Sequence, residues 1–211
     1  MKFYHINLTI IIGLTCFSSA QAQQPQQAVV ISDQLEQKVI EWRRDLHQNP
    51  ELSGVEYETQ KHLIYHLEKL QLSYTKVANT GLLVSFKGKE GGKSLLIRAD
   101  IDALPIQEDT QINYASKNRG VSHKCGHDGH ATMLMALVYH FAKEPIKRGC
   151  LHLLFQPAEE DGKGAAAVLN DPNFKAIHYD RAYAFHNIPG FKLGEVFWRD
   201  GNFTAGVRSL I

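Results

Sequence analysis

The stretch Cys150-Leu-His-Leu-Leu-Phe155-Gln-Pro-Ala-Glu159-Glu160-Asp161-Gly162 carries a mostly apolar run straight into three consecutive acids. A strand buried on both faces needs such a run, because neither alternating set of side chains meets water. Working outward, the pattern recurs. Leu95 to Ala99 precedes Asp100 and Asp102, and Arg181 to Phe185 leads to His186. Leu82 to Phe86 reads as a further strand, set off by the turn Gly88-Lys-Glu-Gly-Gly92. Helical spacing fills the gaps. Ser32-Asp33 caps a stripe of Leu35, Val39, Trp42 and Leu46 that stops before Asn49-Pro50, and Leu63, Leu67 and Leu70 line a second helix from about Val55 to Leu70. Two more helices are expected, from about His130 to Ala142 and from Gly162 to Leu169. Strands alternating with helices predict a three-layer α/β domain with reactive residues at strand ends. Residues 103 to 122, polar with scattered glycine and proline, read as a long loop of the kind that carries a site.

The 211 residues are 44% hydrophobic and 21% charged, with a formal net charge of +1. That composition suits one substantial globular core and gives no electrostatic reason to expect nucleic acid or an anionic membrane as a partner. The N-terminus differs: Met1-Lys2, the apolar run Leu8 to Phe17, then Ser-Ser-Ala20-Gln21-Ala22 form an export signal cleaved after Ala22, with an apolar run too short to span a bilayer. Residues 1–22 are therefore expected to be removed, 23–31 to be a disordered Gln/Pro/Ala spacer, and the product to be periplasmic or secreted without a membrane anchor. Cleavage leaves Cys125 and Cys150. A bridge between them is the lesser expectation, since Cys125 lies between His123 and His127 while Cys150 reads as a buried strand residue.

The segment His123-Lys-Cys125-Gly126-His127-Asp128-Gly129-His130 gathers three imidazoles, a thiol and a carboxylate. A thiolate and an imidazole two residues apart can reach one ion or two adjacent ions, and the glycines let the backbone turn. A polar loop capping a helix accounts for one or two of these residues, not for all. Beyond it, Glu160 is a hard-oxygen ligand candidate and Glu159, diverging from its neighbour, is free to take and give protons; a solvated acidic turn is the plain alternative. His186, alone at a strand end, completes a Cys/His/Glu/His set. Asp100 and Asp102 each qualify to fix the tautomer of an imidazole ligand through its other nitrogen.

Taken together, Arg98-Ala-Asp-Ile-Asp-Ala-Leu-Pro105, the segment 123–130, Phe155-Gln-Pro-Ala-Glu-Glu160 and Phe185-His-Asn-Ile-Pro-Gly190 resemble the metal-dependent amidohydrolases that include hippurate hydrolases, N-acyl-amino-acid and N-acetyl-diaminopimelate deacetylases, and auxin-conjugate hydrolases. Trp42-Arg-Arg-Asp-Leu-His47-Gln-Asn-Pro-Glu51 resembles that family's opening helix and turn. The resemblance implies a three-layer αβα, zinc-peptidase-like catalytic domain, incomplete at the C-terminus, with residues 32–200 as its N-terminal part. It implies two divalent ions, manganese or zinc with nickel or cobalt as alternatives, held by Cys125, His127, Glu160 and His186. Cys125 would bridge the ions, Glu159 would act as general acid/base, and Asp102 would steady the site. His47, His123 and His130 fall in family motifs but are assigned to packing or hydrogen bonding. The implied activity is hydrolysis of the amide of a small N-acyl amino acid, N-acetyl, N-benzoyl or similar, by a metal-activated water. The family further implies a lid and dimerisation domain, which residues 201–211 would begin, a homodimer through it, and one more histidine ligand beyond. Two alternatives stand beside this: an inactive, merely metal-binding fragment of such an enzyme, and a metallo-dipeptidase or carboxypeptidase.

Overall fold

The computed structural model describes residues 31–192 and 195–197, and the account below concerns the unit that begins at Ser32. The expected export signal, most of the spacer, and the segment 201–211 lie outside the described residues.

Helix α1, Asp33–Gln48, starts where Ser32 accepts the Leu35 N–H and ends before Asn49-Pro50. Leu35, Trp42 and Leu46 are buried along it, as the stripe predicts. Helix α2, Tyr57–Lys69, buries Leu63 and Leu67 completely. Five strands follow in one mixed sheet: β1 Thr75–Val77, β2 Gly81–Lys87, β3 Glu90–Asp100, β4 Arg148–Gln156 and β5 Arg181–Ala184, in the order β1-β2-β4-β3-β5. Pairing is antiparallel from β1 to β4 and parallel among β4, β3 and β5. The sequence reading has no counterpart of β1, nor of the single turn α5, Pro172–Lys175. Both are too short to carry a period.

Strand β4 is central, and its alternation explains its apolar character. Leu151, Leu153 and Phe155 join α1, α2 and α3 (His127–Lys143) in one core, while Leu154 faces the second core with Leu83, Leu96, Val168 and Phe174. Val168 and Phe174 come from α4, Gly164–Asn170, and from α5, so helices cover both faces of the sheet. Three expectations need correction. The turn predicted at Gly88–Gly92 is shorter, because β3 already begins at Glu90 and pairs with Arg148. Cys150, at the less covered end of β4, is half-buried rather than buried. Helix α3 starts at His127, three residues before the expected start, which places His127, Asp128 and His130 on its first turn.

The parallel register decides where chemistry can gather. Asp100 pairs with Gln156 and Arg98 with Ala184, so β3, β4 and β5 end side by side, each releasing its chain at one edge of the sheet. Ligand sites in open α/β sheets form outside such carboxyl ends.

Candidate metal centre

Asp102, Glu159, Glu160 and His186 leave those three strand ends, and the first turn of α3 faces them. The loop to α3 turns at Gly126, whose φ is +91°; a Cβ there would lie 2.6 Å from Asn187 Oδ1, so only glycine admits both the turn and the close approach of Asn187. Gly129, expected to help in turning, sits inside the helix with no such demand. On α3 successive residues diverge by about 100°. His127 therefore points to the strand ends while Asp128 turns toward α1.

His127 is fully buried. Its Nδ1 donates to the Asp102 backbone carbonyl at 2.9 Å, with the Asp102 carboxylate 3.3 Å from the same nitrogen. That leaves Nε2 with its lone pair outward. Nε2 has no hydrogen-bond partner among the described residues, and lies 3.8 Å from Glu159 Oε2 and 3.9 Å from Glu160 Oε1. Cys125 Sγ is 3.1 Å from His186 Nε2, while His186 Nδ1 donates to the Asn187 carbonyl at 2.8 Å. One ligand atom from each of Cys125, His127 and His186 falls within 4.8 Å of the others. Glu160 Oε1, also buried and unpartnered among the described residues, borders the same space.

A second group, Asp100, His127 and Glu159, meets the same distance criterion. Its claim is the weaker, because Arg98 donates to both Asp100 oxygens at 2.8 Å and already balances that carboxylate's charge. Asp102 holds the surroundings together: its Oδ2 accepts from Ser53 Oγ at 2.6 Å and from the Glu160 N–H at 2.9 Å. Burial alone would raise its pKa, but the hydrogen bonds from His127, Ser53 and the Glu160 and Glu159 backbone hold it down to about 2.

Three acidic groups of the site are shifted upward. Burial pushes the Cys125 thiol up to about 12, with the Glu160 and Glu159 carboxylates adding to it. Burial likewise raises Glu160 and Asp100, each opposed by neighbouring donors and cations. Burial is the leading cause of each shift, with neighbouring carboxylates adding to it, and a divalent cation bound here would favour the charged forms of all three. A soft cysteine sulfur, two imidazoles whose Nε2 atoms converge on it, one of them without a partner among the described residues, and an unpartnered carboxylate oxygen make a donor set fit for a transition metal or zinc.

Structure adds residues that the sequence reading passed over. Glu56 is fully buried, accepts the Gly54 and Ala158 N–H groups at 2.8 Å each through Oε1, and takes the Thr80 hydroxyl on its other oxygen. It fixes the turn before Glu159, where Ala158 itself has φ +52°. Gly164 then packs so closely on that turn that a Cβ would meet the Pro157 carbonyl at 1.7 Å. A buried Glu and Ser53 between two helices carried no local signal. Their partners lie up to 102 residues away.

Of the three histidines left without ligand roles, His47 is hydrogen-bonded to Asp128 and Glu108, and His130 Nε2 accepts the Asn187 N–H at 3.3 Å. His123 is 6% exposed and neither ring nitrogen has a partner among the described residues. Burial lowers its pKa from 6.5 to about 4. His123 is thus neutral in the fold while an unfolded chain takes up a proton below about 6.5, so its contribution to stability falls as pH drops from 6.5 towards 4. Replacing it by leucine removes that loss. In denaturant titrations of metal-free protein, His123→Leu should gain on the wild type by on the order of 2 kcal/mol between pH 7 and pH 4.5. A gap that does not change with pH would show that His123 finds a proton acceptor in solution.

Residues 96–201, half of the chain, match the profile of the peptidase family M20/M25/M40. The chain belongs to that family. N-acetyldiaminopimelate deacetylase of Listeria innocua is 38% identical over 170 residues, which cover 80% of this chain and 46% of that enzyme. N-acetyl-L-cysteine deacetylase of Bacillus subtilis is 39% identical over 175 residues, 82% of this chain and 42% of the relative. Among solved structures, a dinuclear metal binding peptidase of the M20 family from Bacillus subtilis superposes with a TM-score of 0.70 at 38% identity, over 75% of this chain and 45% of that one. The chain therefore spans under half the length of the curated relatives it matches.

Proposed function

We propose that this M20-family chain serves the metal-dependent hydrolysis of N-acyl amino acids. One observation carries the reading most: at the ends of β3, β4 and β5 the Cys125 and His186 donors lie 3.1 Å apart beside His127 Nε2 and Glu160 Oε1, both buried with no partner among the described residues. The deacetylase names of relatives at 38% and 39% identity supply the substrate class. Cys125, His127, Glu160 and His186 would hold two divalent ions there, manganese or zinc. Such ions polarise a carbonyl and bring the pKa of water towards about 7. This chain's residues do the rest. Glu159, whose side chain is 38% exposed at the mouth of the pocket, takes the proton of the attacking water and returns it to the departing amide nitrogen. Asp102 holds His127 with Nε2 outward and, through the Glu160 N–H, fixes the backbone that carries the two glutamates.

Organisation and location are part of the same proposal: a signal over 1–22, a spacer over 23–31, the catalytic portion over 32–200 and the start of a lid and dimerisation insertion over 201–211, in an exported protein. N-terminal sequencing of the mature product, expected to begin at Gln23, checks the first boundary.

The activity test is release of acetate or benzoate from N-acetyl- and N-benzoyl-amino acids by protein loaded with manganese or zinc. Turnover abolished by a chelator and restored by metal is expected. Hydrolysis of dipeptides in place of acyl amino acids would move the assignment to a peptidase. A metal-loaded, folded chain with no turnover would favour the second reading, a metal-binding segment that needs the remainder of the relatives' length to act. That reading draws on the 46% coverage.

A further inference from the structure

We propose that His47, on α1, is the positioning residue that sets the spacing between Cys125 and His127 by gripping both flanks of the segment that carries them. The inference rests on the metal reading above. His47 Nδ1 lies 2.8 Å from Asp128 Oδ2, and Asp128 directly follows His127. His47 Nε2 lies 3.1 Å from Glu108 Oε1, and that oxygen is 3.9 Å from the ammonium of Lys124, which directly precedes Cys125. One imidazole thus lies between two carboxylates, meeting Asp128 directly and Lys124 by way of Glu108, and so links the two ends of a five-residue turn to one helix.

The grip is built from both sides. Arg43, one helical turn before His47, donates to the same Asp128 oxygen at 3.1 Å. Glu108 is fixed by the Thr110 hydroxyl at 2.5 Å and by the Ser116 N–H at 2.7 Å, which anchors it to the long loop after β3. His47, Asp128 and Glu108 are all buried, at 7%, 1% and 8% exposure. Buried charges held only for stability are readily replaced by apolar groups of similar volume, because their desolvation offsets most of the attraction. What an apolar set cannot supply is direction at two fixed points. Direction is what this segment lacks by itself: Gly126 stands at the N-cap of α3 in a left-handed conformation, with no side chain to cap the helix. Asp102 orients the His127 ring, and how the turn carrying Cys125 and His127 is seated against α1 is set by what holds Asp128 and Lys124.

The test is cobalt(II) titration of the wild-type chain, His47→Gln and Glu108→Gln, read by ligand-field absorption and the thiolate-to-cobalt band. A group that merely supports the fold would lower the melting temperature and leave band energies and affinity in place. A positioning residue moves the bands and weakens cobalt binding by roughly 10- to 100-fold. The double variant should be little worse than His47→Gln alone, because both act through one link. Cobalt affinity within twofold of wild type in both single variants, with unchanged bands, overturns the proposal. Should His47→Gln fail to fold, Glu108→Gln decides alone by the same criterion. A wild-type chain that binds no cobalt removes the metal reading itself, and this proposal with it.

Discussion

Glu159→Gln should lower the kcat of amide hydrolysis by roughly a hundred- to ten-thousand-fold, the range for a lost general acid/base, and leave metal content unchanged. Both halves follow from where the carboxylate stands. Its Oε2 is 3.8 Å from His127 Nε2, close to the converging ligand atoms, and no hydrogen bond to another side chain among the described residues employs it. An amide of the same shape keeps the packing and loses the capacity to accept a proton. Glu160 is the contrasting neighbour. Its side chain is 15% exposed, its backbone N–H is held by Asp102, and its Oε1 is buried beside His127. Glu160→Gln should therefore release metal first and lose turnover as a consequence. The comparison is made by steady-state kinetics beside elemental analysis, in whichever form of the protein turns over an N-acyl amino acid. Near wild-type kcat in Glu159→Gln, with metal in place, would show that the base is another group.

The sequence carried the candidate ligands and withheld their supports, for a physical reason. Cys125 and His127 announce themselves as candidates because a thiol and an imidazole sit in one short turn, and Glu160 and His186 because each follows an apolar run that must be a strand. Local pattern is enough for these. Strand register then does what no local pattern can: it aligns Asp100 with Gln156 and Arg98 with Ala184, so that the three chains emerge together. The long-range hydrogen bonds are equally invisible. Ser53, Glu56 and Glu108 sit in turns and loops where a polar residue is the default, and only folding shows that their oxygens meet Asp102, Ala158 and His47. The start of α3 was misplaced for a related reason. His127 and Asp128 look like loop polarity, whereas they are a first helical turn whose polar groups are spent on Asp102 and α1.

Cys125→Ala should take the metal content of the purified chain from about two ions to less than one, with the fold retained by far-UV circular dichroism. The expectation rests on placement and on protons. Sγ lies 3.1 Å from His186 Nε2, and its group closes on His127 within 4.8 Å, so it stands among the ligand atoms of both imidazoles. In metal-free protein the thiol is held up to about 12 by its own burial and by Glu160, so it carries its proton at neutral pH. An ion can bind only by displacing that proton. Wild-type affinity should therefore climb by roughly tenfold for each pH unit on this account, and the climb should flatten in Cys125→Ala. Isothermal titration in buffers of different ionisation enthalpy counts the released protons directly. One proton fewer per metal event in the variant identifies Cys125 as the ligand. Equal proton release in both proteins would mean that the thiol stays protonated, and that the imidazoles and Glu160 hold the ion without it. A wild-type chain that retains little metal, yet shows the same proton release when titrated, would place a further ligand outside the described residues. The four named here would then be one side of a centre that the rest of the fold closes.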